Sequence, residues 1–168
     1  MSLLTAVLVW LHIFSAVGWL GGLLTFRLVL TPLMPKLSAP TRGELVVKLF
    51  PKFVVTVISF AGMTVVFGIL LTFTFISTDP IQYSLSNSWG MKVVFGASLA
   101  LVVFLLGLFV TLPTVKKLGG ILTEMQAKNQ QQPPPEFAGL QKRVAMVANV
   151  GLILLAITLI FMVSAAEL

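Results

Sequence analysis

The sequence has no cysteine. That excludes disulfides, iron–sulfur clusters, thiolate zinc sites and haem attached through the chain's own thiols. Charge is scarce as well. Only 10% of the 168 residues are Asp, Glu, Lys or Arg, against roughly a quarter in a soluble domain. There are five acidic residues and one histidine. No pair of intramembrane carboxylates, Ser-His-Asp set, histidine pair for zinc, phosphate loop or dinucleotide fingerprint can be assembled from the sequence. A bis-histidine haem within one chain is excluded by the single His12.

What is there is apolar. Hydrophobic residues make up 58% of the chain and its mean hydropathy is +1.06. Such a composition cannot cover a water-facing surface, so the expected solvent for most of it is a lipid bilayer. The net charge of +6 then reports basic loops rather than a nucleic-acid partner. Four long apolar segments predict an all-α, polytopic membrane protein, with four transmembrane helices in a bundle forming one domain. The spans are expected at about residues 3–33, 53–76, 89–112 and 139–165, since a crossing needs about 20 residues. The first segment does not read as a cleaved signal: no positive charge precedes it, and it runs past any signal core.

The connections carry the polarity. Residues 36–52 hold Lys36, Arg42, Lys48 and Lys52 against Glu44. Thr41 and Glu44 are spaced as a capping box, which predicts a short interfacial helix, or an extended start to the second span. Pro32 and Pro35 are expected to break or kink the first helix, and Pro113 to close the third. Residues 116–138 begin in a possible helix and pass into a Gln/Pro linker, Gln130-Gln131-Gln132 then Pro133-Pro134-Pro135. Asp79, Tyr83 and Glu167 lie on the opposite side, where Lys92 is the one base. The positive-inside rule therefore predicts a plasma (inner) membrane protein with both termini outside and loops 34–52 and 113–138 in the cytoplasm.

One stretch concentrates the unusual residues. Residues 9–27 hold Trp10, His12, Trp19, the pair Gly21-Gly22, and Arg27. Ionisable groups in a span are costly and mark functional sites by default. By helical rise His12 falls in the outer half, and Arg27 about 22 Å deeper, at the cytoplasmic interface, where it can snorkel. His12, Ser15, Trp19, Gly22 and Phe26, with Thr5, share one face. That face is either a packing seam with a satisfied histidine, or a ligand or proton-relay site. Lys92 shares a face with Trp89 at the outer start of span three. Asn149 reads as an interhelical hydrogen bond in span four. Met63, Met91 and Met162 lie one to a span; with His12 they are the candidate metal ligands, for haem iron or Cu(I).

Two motifs carry a resemblance. Trp10-Leu11-His12, Trp19, Gly21-Gly22 and Arg27 resemble the first helix of the CopD-like membrane proteins and of the related HemJ-type protoporphyrinogen oxidases. Ser88-Trp89-Gly90-Met91-Lys92 is similar to a Trp-x-x-Lys motif that opens a later helix of the HemJ type. The resemblance implies haem b, with His12 as axial ligand and Trp19, Arg27, Trp89 and Lys92 supporting it, and an oxidoreductase activity on a porphyrinogen. The CopD side implies copper uptake instead, with copper as cofactor or cargo. A third reading is non-catalytic: a small subunit or assembly factor, using the Gly-Gly seam and the linker for partner membrane subunits or a homo-oligomer.

Overall fold

A computed structural model describes residues 2–75, 86–130 and 132–166. The expected polar turn with Asp79 and Tyr83 lies outside the described residues, as does Glu167. Among the described residues the chain is helical without strands. Four helices are long and apolar enough to cross a membrane: α1 (Leu3–Lys36), α2 (Ala39–Thr74), α3 (Ser88–Ala127) and α4 (Pro135–Ala165). They pack as a bundle, and the chain is a membrane protein. The end carrying the α1–α2 and α3–α4 connections is the basic end, the other the outer end.

Local chemistry sets the boundaries. Ser2 caps α1, its hydroxyl accepting the Thr5 N–H at 3.1 Å. Asn87 caps α3 by accepting the Gly90 N–H at 2.8 Å. At α2 the cap is Ser38, which accepts the Thr41 N–H, with Pro40 in the first turn. Thr41, expected as the cap, is thus the third helical residue. Proline's fixed φ and missing N–H suit a first turn, so the helix begins earlier. The α3 helix ends in a Schellman closure. Asn129 takes a left-handed φ of 51°, its N–H reaching Gln126 O and the Gln130 N–H reaching Met125 O.

The helices run further toward the basic end than the expected spans, because three prolines do not stop them. Each follows a π-helical turn: Phe26–Leu30 before Pro32, Leu45–Leu49 before Pro51, and Gly107–Thr111 before Pro113. Proline cannot donate to the carbonyl four residues back, and its ring crowds that carbonyl. The helix widens instead. The residue just before each proline donates five residues back: Thr31 to Phe26, Phe50 to Leu45, Leu112 to Gly107. The Thr31 hydroxyl adds a second bond to Phe26 O at 2.8 Å.

Packing is by antiparallel pairs. In α1–α2, a Cβ added at Gly18 would stand 2.7 Å from the Phe60 ring, and one at Gly22 2.5 Å from Val57. Lower down, Phe26 stacks on Phe53 and meets Phe50 edge-on. In α3–α4, Gly96 admits Phe161 and Met162, and the buried Thr158 hydroxyl reaches Gly96 O at 3.3 Å. Lipid is as apolar as a side chain, so association within a membrane rests on close packing and such bonds rather than on the hydrophobic effect. The two pairs meet through Gly62 on Phe104, Gly107 on Ile58, and Gly151 on Leu23. A second apolar cluster, with Val46, Phe50, Val115, Leu118 and Val144, continues the core toward the basic end.

Candidate functional site around His12

The face predicted on α1 is the packed one. Thr5, Leu8, Ser15 and Trp19 are buried, while Trp10, Ile13, Phe14 and Val17 are exposed. Ser15, fully buried, donates to Leu11 O in its own helix at 2.6 Å. His12, half-buried in this row, instead bonds across the seam. Its Nδ1 lies 2.9 Å from the carbonyl oxygen of Thr64 on α2. A carbonyl only accepts, so Nδ1 carries the proton and donates it. The imidazole is thereby fixed as the tautomer with a bare lone pair on Nε2. Among the described residues Nε2 meets no hydrogen-bond partner. An Nδ1–H held by a backbone carbonyl is also the arrangement that orients a histidine for ligation through its other nitrogen.

Gly68 makes room for the ring. A Cβ there would lie 3.1 Å from His12 Cε1 and 3.3 Å from Nδ1, so the imidazole rests against bare α2 backbone. Thr64 and Gly68 had no signal in the sequence, because the one acts through its carbonyl and the other through the side chain it lacks.

The remaining candidates are distributed elsewhere. Trp19, two turns on from His12 along the same face, is 4% exposed and sits in the central apolar cluster. It borders a cavity of about 60 Å³ between all four helices, walled by Phe53, Val57, Val103, Phe104 and Ala148. Cofactor sites occupy roughly 300–1,000 Å³, so this cavity is not the place of a macrocycle. Arg27 lies in the π-turn of α1, half-buried. Trp89 is half-buried at the start of α3. Lys92 Nζ donates to the backbone carbonyl of Ser164 on α4 at 3.1 Å, and Met162 packs its methyl against Gly96. Both bind the α3–α4 pair together; the structure does not bring them to His12. Met63 and Met91, 38% and 59% exposed, stand on the outer surface of the bundle. Asn149 is half-buried in α4.

Among the described residues no group of three or more His, Asp or Glu is gathered for a metal ion. His12 Nε2, with Nδ1 held by Thr64 O, would be the group to hold a haem iron. Lys92 Nζ is engaged with Ser164 O. Comparison with protein-family models, curated proteins and solved structures finds no match to this chain.

Proposed function

We propose that this chain is an integral membrane protein that binds haem b or a porphyrin through His12, for redox or electron-transfer chemistry of the CopD/HemJ type. The observation that carries the reading is the His12 ring, held at Nδ1 by Thr64 O at 2.9 Å and left bare at Nε2. The motifs of the first and third spans add the resemblance. A haem iron there would supply a one-electron couple. The chain's own part is to fix the tautomer and to seat the ring on Gly68. The basic end is assigned to the cytoplasm and both termini to the outside of the inner membrane, from the distribution of Lys and Arg.

Copper is less well supported. Two of the three candidate methionines face outward, and the third is packed on Gly96. The test is an absorption spectrum with metal analysis on protein purified from haem-replete cells. A Soret band that His12→Ala abolishes is expected. A colourless, metal-free preparation overturns the proposal, and bound copper without haem transfers the site to the methionines.

A further inference from the structure

Lys36 and Arg42 stand at the far basic end without a carboxylate partner among the described residues, Arg42 donating to Leu37 O; the other charges of the basic end divide into two sets. Further along the helices, each acidic residue is taken by a lysine: Glu44 by Lys48, Glu136 by Lys117, and Glu124 by Lys128. These are all the acids among the described residues. Nearer the membrane core stand Arg27 on α1, Lys52 on α2, Lys116 on α3, and Lys142 and Arg143 on α4. None of the five has a carboxylate partner among the described residues.

Three of these cations lie at one level. Phe26 meets Phe53 across the α1–α2 seam, which brings Arg27 level with Lys52. Phe26, Phe53, Thr111 and Val144 border the same cavity, which brings Arg143 to that height too. The lengths agree. From this level to the outer helix ends is about 36 Å on α1 and about 33 Å on α2 and α4, at 1.5 Å per residue. A hydrocarbon core is about 30 Å thick. No Asp, Glu, Lys or Arg interrupts residues 3–26, 53–74 or 144–165. The three helices therefore reach their first uncompensated cation where phospholipid phosphates lie. Beyond it the bundle projects with its own core and its own paired charges.

We infer that Arg27, Lys52, Lys142 and Arg143 form a belt that binds the phosphates of anionic phospholipids in the leaflet at the basic end. Among the described residues no carboxylate stands at this height, whereas beyond it Lys48, Lys117 and Lys128 are each paired with one. Arg27 and Arg143 can each grip a phosphate with two parallel N–H donors, and the lysines add point charges. A juxtamembrane cation is worth about fivefold in partition to an anionic leaflet.

The full chain in nanodiscs of phosphatidylcholine with a minority of phosphatidylglycerol tests this, the lipids retained on partial delipidation being counted by mass spectrometry. Phosphatidylglycerol is expected to be enriched on the wild type. The triple variant Arg27→Gln, Lys52→Gln, Arg143→Gln should lose that enrichment, about fivefold per cation. Lys48→Gln, Lys117→Gln, Lys128→Gln, with the same change in net charge, should retain it. Equal loss in both variants, or none in the first, overturns the belt. Displacement of the lipid by millimolar inorganic phosphate overturns the assignment to a lipid. Should the first variant not fold, salt titration of the wild type decides: the enrichment must fall as ionic strength shortens the Debye length, and indifference to salt refutes it.

Discussion

Replacing Gly22 by alanine sets a Cβ 2.5 Å from Val57 Cγ2. Val57 cannot swing aside, because a β-branched side chain in a helix has one strongly preferred rotamer and Val57 is itself buried. The helices must separate, and such overpacking costs about 1–3 kcal/mol. Alanine is also a better helix former than glycine by about 1 kcal/mol, which hides part of that cost. Gly21 supplies the control, since a Cβ there meets nothing within 4 Å. Gly21→Ala takes the propensity gain alone, so the difference between the two variants isolates the overpacking, about 1–3 kcal/mol. Equilibrium unfolding in mixed micelles, followed by circular dichroism, gives both values. In a Val57→Ala background the clash is gone, and the two glycine variants should become equivalent, with a coupling of about 0.5–3 kcal/mol. Equal stabilities in the wild-type background, or a Gly22→Ala penalty that survives Val57→Ala, would refute the seam as described.

Gly68→Ala puts a methyl 3.1 Å from His12 Cε1. It should loosen the bond to Thr64, visible as a shift of the His12 ring ¹⁵N resonances, and weaken haem retention several-fold while the fold persists; unchanged resonances would show that the ring does not rest on Gly68. Lys92→Met removes the bond to Ser164 O and should destabilise the bundle by about 1 kcal/mol without altering the Soret band that depends on His12. A lost band with unchanged stability would return Lys92 to the cofactor.

The α1 stripe was legible because its spacing of three and four residues alternates small, polar and aromatic side chains in an otherwise uniform apolar run. Thr5, Ser15 and Trp19 could not all face lipid, and they do not. The four helices were legible for the same reason, from length and apolarity. The partner of His12 was not, since a main-chain carbonyl is offered by every residue type. The bond of Lys92 to Ser164 O was hidden for the same reason. Pro32 and Pro113 were read as breaks because proline stops most helices in water. Here the N–H just before each proline reaches the carbonyl five residues back, and the helix continues through the proline.

Those three π-turns also govern how the bundle tolerates changes in length. Each turn holds one residue more than an α-helical turn needs, so it is a slack loop in an otherwise taut thread. Deleting a residue from the turn at Gly107–Thr111 closes it to ordinary pitch. Val115 and Leu118 then stay directed at the core they share with Val46 and Val144. The same deletion at Val102 rotates everything after it by about 100° and turns Val115 and Leu118 away from that core. Chains related to this one can therefore differ by single residues just ahead of Pro32, Pro51 and Pro113 while keeping the membrane bundle and its projection in phase.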